Sequence, residues 1–298
     1  MGGRIVSVGE CMVEFAPQGD GTYRQGFAGD TFNMAWYLRR LLPAAWRVDY
    51  LTALGDDPMS DRVAAFMVEA GVGTGHIARL RGRTPGLYVI SLLNGERSFS
   101  YWRDRSAACE LAANAGHLDL AFGGADLLVL SGITLAILPE VGRTTLLAAL
   151  SAARRAGARV AFDPNVRLRL WPDAVAMRRW ISAAAAGADI VLPSFEDDRQ
   201  AFGDVSPTET ARRYLALGAG QVVVKNGADE ITWRDPAGTG RLRPPLVGDV
   251  VDSTAAGDSF NAGFLAARLT GATMPEAIAA AADVAARVVQ ARGALVPV

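Results

Sequence analysis

The sequence predicts an α/β protein in which helices cover both faces of a mostly parallel β-sheet. Short apolar runs alternate with longer segments of helical periodicity, a pattern typical of parallel strands that are buried on both faces. The chain has 298 residues, of which 50% are hydrophobic and 20% charged, so it can bury one large core. No repeat, low-complexity tract or long linker interrupts it, and we expect a single domain over residues 1–298.

The predicted elements alternate from the first strand to the last helix. Short apolar runs predict buried strands at residues 5–8, 48–51, 127–130, 160–162, 190–192 and 222–224. Apolar residues at helical spacing predict helices at residues 30–42, 58–70, 139–156, 207–217, 257–269 and 275–291. The polar stretch 234–245 is interpreted as a connection between strands. Open parallel sheets bind ligands at the carboxyl ends of their strands, where we expect the site.

Two segments depart from this alternation and predict a small separate β-sheet. Residues 11–27 and 86–103 have the pattern of antiparallel strands, with turns at residues 18–21 and at Asn94-Gly95. The period of two places Phe99, Tyr101 and Arg103 on one face of a strand. An aromatic pair and a cation would then face one target, and a sugar acid suits that face. The alternative is a surface hairpin without a functional role.

Composition excludes several classes of protein. The net charge is −1 without a dense Lys/Arg run, so the electrostatic footprint of a nucleic-acid-binding protein is missing. The apolar stretch 125–138 is too short to span a membrane, and without an export signal we expect a cytoplasmic protein. Two cysteines and two histidines provide neither a disulfide framework nor a zinc cluster.

The segment 252–260, Asp-Ser-Thr-Ala-Ala-Gly-Asp-Ser-Phe, carries the strongest chemical signal of the chain. Small residues precede Asp258 and let a ligand approach the backbone, and an amphipathic helix follows. Free N–H groups at a helix start bind a phosphate or charge that develops in a transition state. Asp258 beside such an anion could take a proton from an attacking hydroxyl. The alternative for an isolated Asp in this position is a helix cap.

The same segment resembles the signature D-T-x-G-A-G-D of the ribokinase-like (PfkB) carbohydrate kinases. Residues 28–33, Ala-Gly-Asp-Thr-Phe-Asn, resemble the sugar-binding segment G-G-x-x-x-N of that family. The resemblance implies a ribokinase-like three-layer sandwich in which residues 11–27 and 86–103 form a β lid over the sugar. Ala28 and Ala255 depart from the family pattern, because each adds a methyl group where the family has glycine.

The resemblance also implies a reaction, the transfer of the γ-phosphoryl group of ATP to a primary hydroxyl of a sugar. Asp258 would be the base. The backbone N–H groups that would stabilise charge on the phosphoryl oxygens are those of Ala255, Ala256 and Gly257. The residues implied to bind the sugar are Gly29, Asp30 and Asn33.

Two runs with an arginine bear on the choice of sugar. Tyr-Trp-Arg at 101–103 precedes Ser-Ala-Ala at 106–108, and Phe-Asp-Pro-Asn-Val-Arg occupies 162–167. A guanidinium in each place could clamp a carboxylate, although either could also be a surface ion pair. Both runs resemble segments of the 2-dehydro-3-deoxygluconate kinases, whereas fructokinases share only the second. The substrate residues that this resemblance adds are Tyr88, Tyr101, Arg103 and Arg167.

The nucleotide is expected at the start of the last-but-one helix, because a Walker-type G-x-x-x-x-G-K-[ST] run is absent. The family motif N-x-x-E, which organises Mg²⁺, falls on residues 194–197, where Asp197 replaces Glu and Glu196 is an alternative ligand. Asp252 and Thr254 are candidates for a monovalent cation such as K⁺. The implied nucleotide-binding residues are Ser194, Lys225, Gly227, Ala255, Gly257, Ala286 and Val289. The last two could instead belong to the core.

Three alternatives to a sugar-acid kinase stay open. The nearest is a kinase of the same fold for fructose, ribose or another sugar. A nicotinamide-dependent oxidoreductase would need a glycine fingerprint after the first strand, which residues 8–13 lack. A catalytically inactive sugar-acid sensor would keep the fold without the chemistry, but an intact Asp258 argues against it.

Assembly through the lid is a further expectation. Leu87, Val89, Leu93 and Trp102 would project from the lid face opposite the sugar. An exposed apolar face invites pairing with another chain, so we expect a homodimer or a larger even oligomer.

Overall fold

The computed structural model of the chain describes residues 2–93 and 96–298. The strands are β1 (Arg4–Val8), β2 (Met12–Pro17), β3 (Tyr23–Ala28), β4 (Arg47–Gly55), β5 (Gly73–Leu80), β6 (Leu87–Leu93), β7 (Glu96–Trp102), β8 (Leu127–Ser131), β9 (Arg159–Asp163), β10 (Ile190–Val191), β11 (Gln221–Val224), β12 (Ile231–Asp235) and β13 (Gly238–Leu242). The helices are α1 (Asp30–Leu41), α2 (Pro58–Glu69), α3 (Ala115–Phe122), α4 (Gly132–Ile137), α5 (Glu140–Arg155), α6 (Ala174–Ala186), α7 (Phe195–Phe202), α8 (Pro207–Leu217), α9 (Ala256–Leu269) and α10 (Met274–Val288).

The central sheet has the strand order β13-β12-β11-β10-β9-β8-β1-β4-β5. The strands from β11 to β5 run parallel, and β12 and β13 continue the sheet as an antiparallel hairpin at one edge. The six strands predicted from buried apolar runs all belong to this sheet, and all predicted helices are present. The mostly parallel α/β fold is therefore confirmed.

Alternate residues of each strand are buried on opposite faces of the sheet. Ile5 belongs to the core that contains residues of α1, α2, α9 and α10, whereas its neighbour Val6 belongs to the core that contains residues of α3, α5, α6 and α8. Strands buried on both faces explain the continuous apolar runs of the sequence. Within the described residues, no helix is both long enough and apolar enough to cross a membrane.

Periodicity missed some of the elements. Helices α3, α4, α6 and α7 were not predicted. Helix α4 is short and lies in an apolar stretch, whereas α6 carries Met177, Trp180 and Ile181 at helical spacing, a signal that could have located it. The interpretation of residues 234–245 as a connection is wrong. The end of β12 and the whole of β13 fill most of it, and the Asp235 carboxylate closes the turn by accepting the N–H groups of Ala237 and Gly238.

The segments that depart from the alternation form a second sheet, with strand order β3-β2-β6-β7. Strand β2 runs antiparallel to β3 and parallel to β6, and β6 pairs antiparallel with β7. The predicted turn at Asn94-Gly95 lies outside the described residues. One face carries Met12, Tyr88 and Ile90, while Leu87 on the other face packs against the main core. Leu87 is thus covered by its own chain rather than available to a partner, whereas Trp102 is 61% exposed.

Candidate active site

A cleft of about 700 Å³ lies at the carboxyl ends of the parallel strands. Glu10, Asp163 and Lys225, which follow or end β1, β9 and β11, line it because parallel strands end at the same edge of the sheet. Tyr88 and Tyr101 line it from the small sheet.

Nearly all of the predicted site residues meet in this cleft. Those that line it are Gly29, Asp30, Asn33, Tyr88, Tyr101, Arg103, Arg167, Ser194, Asp197, Lys225, Gly227, Thr254, Ala255, Ala256, Gly257, Asp258, Ala286 and Val289. Glu196 and Asp252 do not line it. Sequence reasoning left out Glu10, Asp163 and Asn165, which also line the cleft, although each stands at or just after the end of a strand.

Asp258 lies in the first turn of α9, where its carboxylate meets Asn33 of the predicted sugar-binding segment. The side-chain amide of Asn33, one turn into α1, donates a hydrogen bond to Asp258 Oδ2 at 2.8 Å. Burial, together with the nearby charge of Asp30, raises the pKa of Asp258 to about 7, and the hydrogen bond from Asn33 opposes this rise. Near neutral pH this carboxyl group can therefore both accept and release a proton, as a general base requires.

The backbone before Asp258 turns sharply into the helix. Ala255 caps α9 with φ 59°, in the left-handed region where a side chain costs roughly 1–2 kcal/mol. The departure from glycine at this position therefore strains the turn. The N–H group of Ala256 donates to the carbonyl oxygen of Ser253 at 3.2 Å, so it is already engaged. Among the described residues, the N–H groups of Ala255 and Gly257 have no backbone acceptor.

A charged network lies beneath this helix start. Lys225 Nζ lies 2.9 Å from Asp163 Oδ2 and donates to Asn261 Oδ1 at 3.0 Å, while the Asn261 amide donates to the same Asp163 oxygen at 2.6 Å. A Cβ atom on Gly257 would lie 3.6 Å from Lys225 Nζ. Asp163 and Asn261 thus hold a cation close to the backbone that is expected to meet the phosphates.

The sugar-binding segment is held by close packing. Gly29 has extended backbone, but a Cβ atom there would lie 2.1 Å from the carbonyl oxygen of Glu10, so only glycine fits without displacement. Asn165 takes a left-handed φ of 32° and donates from its side chain to Asp30 Oδ2 at 2.7 Å. The run after β9 therefore fixes the orientation of the Asp30 carboxylate.

Both predicted carboxylate-binding arginines already face a carboxylate of the protein. Arg103 Nη2 lies 2.5 Å from Glu10 Oε2, both side chains are almost completely buried, and Ser106 donates its hydroxyl to the other oxygen of Glu10. Arg167 Nη1 lies 3.0 Å from Asp197 Oδ2 in a more exposed pair. The sequence signalled the arginines but not these partners, since the two pairs span 93 and 30 residues of chain.

Comparison with known proteins identifies the family. The profile of the pfkB family carbohydrate kinase matches residues 3–298, almost the whole chain. The chain belongs to the pfkB family of carbohydrate kinases. The expectation from the two glycine-containing segments is thereby confirmed.

Relatives of this kinase carry names that bear on its substrate. A 2-dehydro-3-deoxygluconokinase of Dickeya dadantii (strain 3937) is 38% identical, covering 98% of this chain and 96% of that protein. A 2-dehydro-3-deoxygluconokinase of Escherichia coli (strain K12) is 37% identical, covering 100% and 98%. The crystal structure of a fructokinase with bound ATP from Xylella fastidiosa has a TM-score of 0.84 at 26% identity, covering 98% and 93%. The ribokinase-like three-layer fold is confirmed.

The two acidic residues that this kinase offers for Mg²⁺ lie in different surroundings. Ser194 precedes α7, and consecutive residues of a helix point about 100° apart, so Asp197 faces the cleft while Glu196 faces Arg199 and Gln200. Burial raises the pKa of Asp197 above its ordinary value, although Arg167 opposes this. Among the described residues no cluster of three or more His, Cys, Asp or Glu side chains could hold a metal by itself. Asp197 with nucleotide phosphates fits Mg²⁺, which commonly takes one or two carboxylates together with phosphate oxygens.

The expected monovalent-cation residues hold the loop before α9. The Asp252 carboxylate accepts the N–H groups of Thr254 at 2.9 Å and of Gly293 at 2.7 Å. It thereby ties the chain that enters α9 to the chain that leaves α10. Thr254 lines the cleft and Asp252 is buried behind it.

The part of the cleft wall that α10 and the loop after β13 form is apolar. Ala286 and Val289 on α10 face the cleft, together with Ala282 and Ala285 of the same helix, and Pro244 to Val247 line it from the loop after β13. The sequence pattern did not decide whether Ala286 and Val289 belong to the core or to the nucleotide site, and both border the cleft. An adenine ring bound here would contact aliphatic side chains.

Proposed function

We propose that this kinase uses ATP to phosphorylate a sugar acid, 2-dehydro-3-deoxy-D-gluconate, at its primary hydroxyl. The observation that carries the proposal is that Arg103, Arg167 and the start of α9 with Asp258 all line one cleft. The 2-dehydro-3-deoxygluconokinases that match the whole chain support the choice of substrate.

The reaction follows from the position of Asp258. Its carboxylate takes the proton of the sugar hydroxyl, the oxygen bonds to the γ-phosphorus, and the bond from that phosphorus to the β–γ bridging oxygen breaks, releasing ADP. The N–H groups of Ala255 and Gly257 would donate to the phosphoryl oxygens, and the Lys225 cation lies close by. Mg²⁺ held through Asp197 would neutralise phosphate charge. The network of Asp163 and Asn261 keeps the Lys225 ammonium in place.

Each arginine would bind the substrate with donors that its protein partner leaves unused. A guanidinium has five N–H donors, so a carboxylate of the protein can hold one edge while a substrate carboxylate binds another. For Arg103 the Glu10 carboxylate fixes the side chain at the cleft wall, and the Nε–H group has no partner among the described residues. The pairing therefore orients the arginine without saturating it.

A substrate panel tests the proposal. The purified protein is assayed for ADP release with 2-dehydro-3-deoxygluconate, gluconate, fructose and ribose at saturating MgATP. We expect kcat/KM for the keto-deoxy acid to exceed that for the neutral sugars by a factor of about 100 or more, from a charge-assisted contact worth about 1.5–3 kcal/mol at each arginine. Equal or higher kcat/KM on fructose, the substrate named for the Xylella fastidiosa neighbour, would favour a fructokinase instead. Tight binding of the acid without ADP release would indicate a sensor.

We also propose that the chain assembles through the small sheet and that Asp252 and Thr254 border a K⁺ site. The exposed Trp102, at 61%, supports assembly through the small sheet.

The proposed K⁺ site rests on the oxygen-rich loop that Asp252 ties to Gly293. Activity in K⁺ compared with tetramethylammonium salts of equal ionic strength tests it, and equal rates would rule it out.

A further inference from the structure

Arg169 does not itself line the cleft but lies near Tyr101, which does, and this position is called the rim of the cleft. Arg169 stands two residues after Arg167, in a short 3₁₀ turn (Leu168–Leu170). Its side chain is exposed, and its guanidinium carbon lies 5.9 Å from the centroid of the Tyr101 ring. The guanidinium carbon of Arg103 lies 5.9 Å from the same centroid. The Tyr101 ring, which lines the cleft, therefore lies near a buried cation and near a second cation at the rim.

The two arginines that line the cleft each have a carboxylate partner in the protein. Arg103 is paired with Glu10 and Arg167 with Asp197, so each is largely neutralised by its partner. Asp30 and Asp258 line the same cleft and add negative charge when they are ionised. A sugar acid that approaches the cleft meets more carboxylates than guanidinium groups, which disfavours its entry.

Arg169 differs from both because it has no carboxylate partner among the described residues. In the part of the chain that the structure describes, no carboxylate lies within 4.0 Å of its guanidinium, which lies near the Tyr101 ring instead. A cation is attracted to the face of an aromatic ring, so Tyr101 favours a position of the Arg169 guanidinium at the rim of the cleft. This attraction does not use the hydrogen-bond donors of the guanidinium. Its N–H groups stay available to an anion.

We propose that Arg169 is a specificity-determining residue that attracts the carboxylate of the sugar acid to the cleft. Its positive charge at the rim raises the rate at which an anionic sugar enters, and it gives no advantage to a neutral sugar. This role rests on the proposed function, because it presumes an acid as the substrate. It concerns entry and not the phosphoryl transfer, so it acts on kcat/KM and leaves kcat unchanged.

The test compares variants of the full chain with 2-dehydro-3-deoxygluconate at a series of salt concentrations. Arg169→Gln should lower kcat/KM about three- to tenfold at low ionic strength, with kcat unchanged, and the difference should shrink as salt screens the charge. Arg169→Glu should lower it further, and Arg169→Lys should retain most of it because the charge is kept. The matched control is Arg212→Gln, which removes the same charge from another exposed arginine, on α8.

The outcomes separate this inference from the proposed function. Wild-type protein that does not phosphorylate the acid overturns both. Wild-type activity on the acid together with equal kcat/KM for Arg169→Gln and Arg212→Gln overturns only the role of Arg169. The role of Arg169 is also overturned if Arg169→Gln lowers kcat, if its loss in kcat/KM persists at high salt, or if Arg169→Lys does not retain most of the wild-type kcat/KM. A charge that acts only on substrate entry would produce none of these results.

Discussion

Replacing Asp258 by Asn tests the assignment of the base, because Asn keeps the volume and the hydrogen-bonding capacity but cannot take a proton. Removal of a general base costs about a hundred- to ten-thousand-fold in rate, and the loss should appear in kcat with KM little changed. Wild-type kcat/KM should rise about tenfold per pH unit as Asp258 ionises and level off above its pKa of about 7. The residual activity of the variant should lack this rise.

The same substitution should change stability in a direction fixed by the raised pKa. The folded protein holds the Asp258 proton more tightly than the unfolded chain does, so ionisation of Asp258 lowers the free energy of unfolding. This loss of stability is absent below about pH 4, grows between pH 4 and 7, and is complete above about pH 7. A rise of the pKa from 3.8 to about 7 corresponds to at most about 4 kcal/mol. Since the carboxylate borders a solvent-filled cleft, we expect about 1–2 kcal/mol.

Asp258→Asn should therefore unfold in urea with a higher free energy than wild type at pH 8, and the two should converge near pH 4. The exposed Asp283 on α10 provides the matched control, and Asp283→Asn should show neither effect. Turnover of Asp258→Asn within about threefold of wild type, under conditions where chemistry limits the rate, would show that Asp258 is a helix cap and not the base.

Three further predictions concern the sugar side and the assembly. Gly29→Ala should lower the free energy of unfolding by about 1–3 kcal/mol and raise KM for the sugar, because its Cβ atom would meet the carbonyl oxygen of Glu10 at 2.1 Å. The control is Gly75→Ala, where a Cβ atom meets nothing within 4 Å. Equal effects of the two substitutions would contradict the packing argument. Arg103→Met should raise KM for the acid at least tenfold, by loss of a charge-assisted contact of about 1.5–3 kcal/mol. The substitution should also destabilise the folded protein, because it leaves the Glu10 carboxylate buried without its cation. An unchanged KM would show that Arg103 does not bind the substrate. Light scattering at micromolar concentration should show an even oligomer that Trp102→Asp weakens, and a wild-type monomer would contradict assembly through the small sheet.

The sequence by itself determined the elements whose pattern is local. Strands such as residues 5–8 and 222–224 are buried on both faces and therefore appear as apolar runs, whatever their neighbours. The start of α9 could be located for the same reason, because small residues, a carboxylate and a helical period follow one another within nine positions of the chain. The edge hairpin at β12 and β13 could not, since strands at a sheet edge need no apolar run.

Only the tertiary structure decided which charges meet. Glu10 and Arg103 are 93 residues apart, and Asp163, Lys225 and Asn261 come from three separate elements, so no local pattern records their pairing. Glu196 and Asp197 are adjacent in the chain, yet the turn of α7 directs only Asp197 into the cleft. The physical reason is that periodicity reports how one element is buried, whereas the field in a site depends on the distances between charges carried by different elements.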